Sequence, residues 1–122
     1  RAEKVRRVLA DVADIEVYGE PDGIGVVSWG GTYGAVRSAV DAARATGLKV
    51  GHVHIRWINP FPANLEEVLR GFDHLLVAEL NLGQLATVLR STYLLELHSY
   101  AKIQGQPFKV SELLARIQTL TS

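Results

Sequence analysis

The stretch from Ile24 to Ala43, IGVVSWGGTYGAVRSAVDAA, decides the fold. Its first six residues are largely apolar and rich in β-branched side chains, which is typical of a strand buried on both faces of a parallel sheet. Beyond the glycines the pattern changes to helical spacing, since apolar residues recur three and four positions apart. These residues are Ala35, Val36, Ala39, Val40 and Ala43. A strand that leads into an amphipathic helix predicts an α/β domain.

Shorter elements precede this stretch. Helical spacing of apolar residues predicts an amphipathic helix at residues 3–13. Ile15 to Tyr18 then predicts a short strand, and the segment from Gly19 to Gly23 contains turn residues that end it.

The same alternation continues downstream. Gly47 has the place of a left-handed residue that ends a helix, and Val50 to Trp57 predicts a strand with alternating faces. Its two faces are Val53, Ile55 and Trp57 on one side and His52, His54 and Arg56 on the other. The remaining predicted elements are a short helix from Asn64 to Gly71, a strand at 73–79, a helix at 84–94, a strand at 95–99 and a closing helix capped by Ser111. We expect Asn64 and Glu67 to form a capping box.

This alternation predicts one domain over residues 1–122, with a mostly parallel sheet between two layers of helices. The formal net charge is zero, so we expect neither a nucleic acid nor a membrane as partner. No apolar run approaches the roughly 20 residues that cross a bilayer, and we expect a cytoplasmic protein. Because the sequence begins at Arg1 within a charged helical pattern, we expect it to be a piece of a longer chain.

Cysteine is absent, which excludes disulfides, a thiolate nucleophile and cysteine-ligated clusters from these residues. His52 and His54 share one face of a strand at a spacing that suits two metal ligands. No third ligand is evident, and we interpret these histidines, like His74 and His98, as packed or hydrogen-bonded side chains. We predict no metal site and no catalytic residue.

Two loops follow predicted strands at the carboxyl edge of the sheet, where parallel sheets bind ligands. The first contains Gly30, Gly31, Thr32, Tyr33 and Gly34, and the second contains Glu79, Asn81 and Gln84. The first loop offers glycines and a helix start to an anion, although it lacks the dinucleotide fingerprint and the P-loop lysine, and we favour a tight turn. For the second loop we favour hydrogen bonds to neighbouring loops, or capping of the next helix, over catalysis.

Four segments together resemble one known family. They are Trp29-Gly30-Gly31-Thr32-Tyr33-Gly34, Asn59-Pro60-Phe61-Pro62, Glu79-Leu80-Asn81-Leu82-Gly83-Gln84-Leu85, and Lys102 with Gly105, Pro107 and Phe108. In this order they resemble the C-terminal domain of the alpha subunit of 2-oxoacid:ferredoxin oxidoreductases, most closely the 2-oxoglutarate type. The family loop often reads Trp-Gly-Ser-Thr, and Gly31 replaces that serine here.

The resemblance implies a fold similar to the C-terminal domain of transketolases. That fold has five strands in the order 1-3-2-4-5, with the first strand antiparallel, so the two loops are expected to share one crevice. It also implies an enzyme that oxidatively decarboxylates a 2-oxoacid to an acyl-coenzyme A, with ferredoxin as electron acceptor.

The resemblance places thiamine diphosphate, magnesium and an iron–sulfur cluster outside this domain, which we expect to assemble with the beta subunit and with other alpha-subunit domains. We expect no cofactor in this domain and no turnover by it alone. One alternative is a free-standing anion-binding or nucleotide-binding module that uses the first loop. Another is the equivalent domain of a pyruvate-type oxidoreductase, a transketolase or a dehydrogenase E1 chain.

Overall fold

The computed structural model describes residues 14–56, 61–80, 84–102 and 107–120. The strands are β1 (Tyr18–Gly19), β2 (Ile24–Trp29), β3 (Val50–Ile55), β4 (His74–Glu79) and β5 (His98–Ala101). The helices are α1 (Tyr33–Ala45), α2 (Leu65–Arg70), α3 (Gln84–Tyr93) and α4 (Val110–Thr119), and one 3-10 turn covers Gly30–Thr32. The helix predicted at residues 3–13 lies outside the described residues, as does Asn81.

The five strands form one sheet in the order β1-β3-β2-β4-β5. All neighbouring pairs are parallel except β1 with β3. The mostly parallel sheet confirms the expectation from the sequence pattern, and the strand order and antiparallel edge strand confirm what the family resemblance implied.

Helices cover both faces of the sheet. Helices α1 and α4 pack together on one face, where their apolar side chains bury Ile24 and Val26 of β2. Helices α2 and α3 cover the other face, over Val27 and Val53. Alternate residues of β2 therefore enter two separate cores, which explains why this strand is apolar almost throughout. The fold has the predicted three layers.

A pair of glycines makes room for one aromatic ring in the second core. Gly25 lies opposite Gly51 in the parallel ladder of β2 and β3. A Cβ atom added to Gly25 would lie 2.6 Å from the ring of Phe72, and one added to Gly51 would lie 3.0 Å from it. Phe72 is buried against this surface, and it fixes the end of α2 over the sheet.

Several predicted boundaries were wrong by a few residues. The first strand is Tyr18–Gly19 instead of 15–18, because only these two residues pair with β3. The third strand ends at Ile55, and Trp57 lies outside the described residues. The last strand is His98–Ala101 instead of 95–99, in register with Leu76 to Glu79 of β4.

Two predicted helix caps were also wrong. The Asn64 side chain makes no capping bond to α2, because it bonds the backbone of Ile15 instead. Helix α4 has Lys109 at its N-cap instead of Ser111, which lies inside the helix. By contrast, Gly47 is left-handed with φ +93°, as predicted for the residue that ends α1.

Candidate functional site

Residues of the first predicted loop form the connection from β2 to α1. Thr32 is buried, and its hydroxyl accepts a hydrogen bond from Trp29 N at 3.3 Å and donates one to Trp29 O at 3.1 Å. Gly30 is left-handed with φ +65°. Cβ atoms at Gly30, Gly31 and Gly34 would each meet nothing within 4 Å. The loop is thus a compact turn that is open to its surroundings, and the anion-cradle interpretation stays a prediction.

Glu79 of the second loop caps a helix. Its carboxylate is buried, and its two oxygens accept hydrogen bonds from Leu85 N at 2.8 Å and Ala86 N at 3.0 Å. These amides belong to the first turn of α3, where a negative charge complements the helix dipole. Each carboxylate oxygen therefore already accepts one internal hydrogen bond, and the group is buried. Gln84, at the start of α3, is exposed.

A cavity lies beside β3, on the face that α1 covers. Its volume is about 460 Å³, within the range of about 300–1,000 Å³ that is usual for small-molecule sites. Tyr33 and Arg37 of α1, together with His52 and His54 of β3, form one side. Its remaining lining residues are Asp14, Ile15, Glu16, Arg56 and Pro62.

A chain of three hydrogen bonds runs along the floor of this cavity. Arg37 Nε donates to His52 Nδ1 at 3.1 Å. His52 Nε2 lies 2.6 Å from Ser28 Oγ, and Ser28 Oγ lies 2.7 Å from His54 Nδ1. Ser28 belongs to β2 and lies directly opposite His54 in the parallel ladder. We call these four residues the relay.

The guanidinium of Arg37 fixes the direction of every bond in the relay. Because arginine is always protonated, His52 Nδ1 must accept, and the proton of the neutral ring is on Nε2. His52 Nε2–H therefore donates to Ser28 Oγ. The hydroxyl then donates its own proton to His54 Nδ1, so that neutral His54 carries its proton on Nε2.

Both histidines are held in the neutral form. Burial is the main cause that lowers the pKa of His52 to about 4, and the neighbouring Arg37 and His54 contribute to the same shift. Burial also lowers the pKa of His54, together with the charges of Arg56 and Arg37. The relay therefore persists at neutral pH, because protonation of His52 would place a second positive charge against Arg37.

Aromatic rings hold Arg37 in place. Its guanidinium carbon lies 3.6 Å from the ring centroid of Tyr18 and 4.9 Å from that of Tyr33. The Tyr33 ring also packs on His52 and His54, with centroids 5.2 Å and 4.9 Å away. This cation–π arrangement fixes the first donor of the relay.

The sequence-predicted site residues differ in the contacts they make. Tyr33 lines the cavity, whereas Thr32 and Glu79 are bonded within the turn and to α3. The shared crevice stays a prediction, because it depends on Asn81. The interpretation of His52 and His54 as hydrogen-bonded is confirmed.

Sequence reasoning missed Ser28 and Arg37. Ser28 is the one hydroxyl residue within the apolar strand β2, and that was the available signal.

Among its described residues, the chain has no grouped ligands for two of the cofactors that the resemblance implies for the whole enzyme, the iron–sulfur cluster and the magnesium ion. It contains no cysteine to ligate an iron–sulfur cluster. Within residues 14–56, 61–80, 84–102 and 107–120, no three His, Cys, Asp or Glu side chains are grouped to hold a metal ion.

Every helix in this part of the chain also falls short of the length and hydrophobicity of a membrane span.

The architecture shows the structural class to which the protein belongs. The chain superposes on a split-gene transketolase, described as an inactive beta4 tetramer, with a TM-score of 0.69. The sequence identity is 20%, and the match covers 91% of this chain and 44% of the other. At this identity the likeness shows the fold, which is transketolase-like α/β.

Sequence comparison then shows the family. Residues 23–113 match the model of the pyruvate:ferredoxin oxidoreductase core domain II. The chain is 46% identical over 105 residues to the 2-oxoglutarate oxidoreductase subunit KorA of Mycobacterium tuberculosis, covering 84% of this chain and 16% of that protein. It is 30% identical over 116 residues to the 2-oxoacid:ferredoxin oxidoreductase subunit alpha of Saccharolobus solfataricus, covering 92% and 18%. The chain belongs to the 2-oxoacid:ferredoxin oxidoreductase family, as a domain of the alpha subunit.

A solved structure of the family has the same domain. The 2-oxoglutarate:ferredoxin oxidoreductase of Magnetococcus marinus, which has 2-oxoglutarate, coenzyme A and succinyl-CoA bound, matches with a TM-score of 0.87 and 28% identity. The match covers 99% of this chain and 22% of that chain. The chain therefore spans less than a quarter of the length of these family members.

Proposed function

We propose that this chain is an assembly domain of the alpha subunit of a 2-oxoglutarate:ferredoxin oxidoreductase, in the C-terminal part of that subunit. The observation that supports this most is the match of 99% of the chain to only 22% of the Magnetococcus marinus protein chain. A unit of this size fits one domain among several.

The polar groups of the domain support a structural role. Glu79 uses both carboxylate oxygens to cap α3, and Thr32 uses its hydroxyl within the β2–α1 turn. A general base must reach a substrate proton, whereas Glu79 is buried and both of its oxygens are bonded to α3. Catalysis by the whole enzyme then depends on groups outside this domain.

The proposal also covers the reaction and the cofactors of the whole enzyme, which we take to be those of its family. It decarboxylates 2-oxoglutarate oxidatively in the cytoplasm, forms an acyl-coenzyme A and passes electrons to ferredoxin. Thiamine diphosphate, magnesium and the iron–sulfur cluster are held by the beta subunit and by other domains of the alpha subunit. This domain packs against those partners as a single unit of 122 residues.

Reconstitution of the complex tests the assembly role. Intact alpha subunit is expected to copurify with the beta subunit and to reduce ferredoxin in the presence of 2-oxoglutarate and coenzyme A. An alpha subunit without these residues is expected to lose both properties. Normal assembly and turnover of that truncated complex would show that the proposal is wrong.

A chimera supplies the matched control. In it, the transketolase domain of the same fold and 20% identity replaces this domain. Because the chimera keeps the architecture but changes the surface, it is expected to fold and yet fail to copurify with the beta subunit. Assembly of the chimera at the wild-type level would contradict a specific surface role.

A further inference from the structure

We propose that the cavity beside β3 is a binding site for a small oxyanion, a carboxylate or phosphoryl group, held by Arg37, Arg56 and His54. The inference rests on the geometry of the cavity and is independent of the proposed function.

Two arginines supply the positive charge. Arg37 and Arg56 line the cavity from α1 and from the residue after β3. In the part of the chain that the structure describes, neither forms an ion pair, and the two ion pairs found there, Arg70–Glu66 and Lys102–Glu112, lie elsewhere. Among the described residues, Arg37 bonds only His52, through its Nε–H, so its terminal nitrogens are available. Guanidinium groups of this kind bind carboxylates and phosphates through paired hydrogen bonds.

The relay adds a neutral donor of fixed direction. Since Ser28 donates to His54 Nδ1, the free ring nitrogen of His54 is the protonated Nε2. His54 lines the cavity, and it therefore offers a hydrogen-bond donor there rather than an acceptor. Where Arg37, Arg56 and the oriented N–H group of His54 meet the cavity, they favour an anionic group over a cationic one.

The other wall of the cavity limits what fits. Asp14 and Glu16 line it from the segment before β1. Neither carboxylate lies within ion-pair distance of an arginine among the described residues. Their charges oppose a ligand with negative groups at both ends. The two carboxylates favour a ligand with a single oxyanion group that binds beside the arginines. The cavity volume of about 460 Å³ leaves room for such a molecule.

Calorimetric titration of the full chain with inorganic phosphate and with malonate tests the site. Phosphate is expected to bind saturably, and malonate, which has two negative ends, is expected to bind more weakly. Arg56→Gln is expected to weaken phosphate binding about tenfold, the factor that corresponds to about 1.4 kcal/mol. Arg56 is exposed and lies outside the strand, so the variant keeps the fold. Arg44→Gln, which removes a charge from α1 outside the cavity, is the control and is expected to bind like wild type.

The pKa of His54 provides a second readout by NMR. In the described part of the chain, the groups against this ring are Ser28 on β2, Tyr33 and Arg37 on α1, and His52 and Arg56 on its own segment, while Asp14 and Glu16 line the same cavity. A bound oxyanion stabilises the imidazolium, so a phosphate concentration that nearly saturates wild type is expected to raise the pKa of His54 in wild type and to raise it less in Arg56→Gln. Absence of saturable phosphate binding, or equal affinities in Arg56→Gln and Arg44→Gln, would overturn the proposal.

Discussion

Asn64 holds Ile15 by two hydrogen bonds although the two residues lie 49 positions apart in the sequence. Its Oδ1 accepts a bond from Ile15 N at 2.8 Å, and its Nδ2 donates one to Ile15 O at 3.0 Å. The amide side chain thus satisfies the backbone of Ile15 as a neighbouring strand would. This clamp fixes the segment that carries Asp14 and Glu16 at the wall of the cavity.

Asn64→Ala is therefore expected to destabilise the chain by about 1–2 kcal/mol, because both bonds to Ile15 are lost. Urea unfolding followed by circular dichroism measures the change. Glu67→Ala is the control, since Glu67 is exposed and, apart from its charge in the first turn of α2, would matter only in a capping box. We expect the control to change stability by less than about 0.5 kcal/mol. Equal losses in the two variants would restore the capping-box interpretation.

From residue patterns alone, the sequence predicted only those features of the fold and the cavity that depend on neighbouring residues. Period-two alternation in β3 correctly assigned Val53 and Ile55 to one face and His52 and His54 to the other. The order of the strands followed from the family resemblance. The bond from Asn64 to Ile15 was missed because an Asn directly before a helix can either cap that helix or bond a distant part of the backbone. The position of Asn64 in the sequence does not distinguish these two roles.

The relay depends on the register between β2 and β3, which cannot be predicted from the sequence pattern. Ser28 reaches both histidines only because β2 and β3 pair in parallel with Ser28 opposite His54. A slip of one residue would turn the hydroxyl to the other face of the sheet. Arg37 joins the relay through the placement of α1 on that face, which is a tertiary contact.

Ser28→Ala is expected to cost about 1–3 kcal/mol of stability, because it leaves the buried His52 Nε2–H without its acceptor. Urea unfolding measures the loss. Ser38→Ala on the exposed side of α1 is the control, with an expected change below about 0.5 kcal/mol.

Long-range ¹H–¹⁵N spectra give a second test of Ser28→Ala. Wild-type His54 is expected to carry its proton on Nε2, and the variant is expected to show a mixture of tautomers, because the donor to Nδ1 is gone. An unchanged His54 spectrum would contradict the directed relay.

The stability of the chain is expected to fall as the pH drops from about 6.5 to about 4, the unfolded and folded values of the His52 pKa. In this pH range His52 is protonated in the unfolded chain but stays neutral in the folded chain. The unfolded state therefore binds more protons, and a lower pH favours unfolding. The lowered pKa of His54 acts in the same direction. Glu112, whose pKa the hydrogen bonds of Lys102 and Tyr100 lower to about 2, contributes only further down, below about pH 4.5.

Urea midpoints measured across this pH range test the assignment. His52→Gln removes the titrating ring, and its midpoint is expected to depend less on pH between about 6.5 and about 4 than that of wild type. Glu112→Gln is the control, because it is expected to keep the wild-type slope in this window and to lose only the decline at lower pH. A wild-type slope in His52→Gln would show that other groups cause the decline.

Two glycines of the β2–α1 connection are expected to respond to alanine in opposite ways. A Cβ atom at Gly30 or at Gly34 would meet nothing within 4 Å, so steric contact is the same for both. Gly34 lies in α1, and Gly34→Ala is expected to stabilise the chain by about 0.5–1 kcal/mol, because alanine loses less backbone entropy. Gly30 has φ +65°, and Gly30→Ala is expected to cost about 1–2 kcal/mol for the left-handed backbone. Thermal unfolding of both variants measures the difference. Shifts of the melting temperature in the same direction would contradict the left-handed conformation of Gly30, and with it the geometry of the turn that leads β2 into α1.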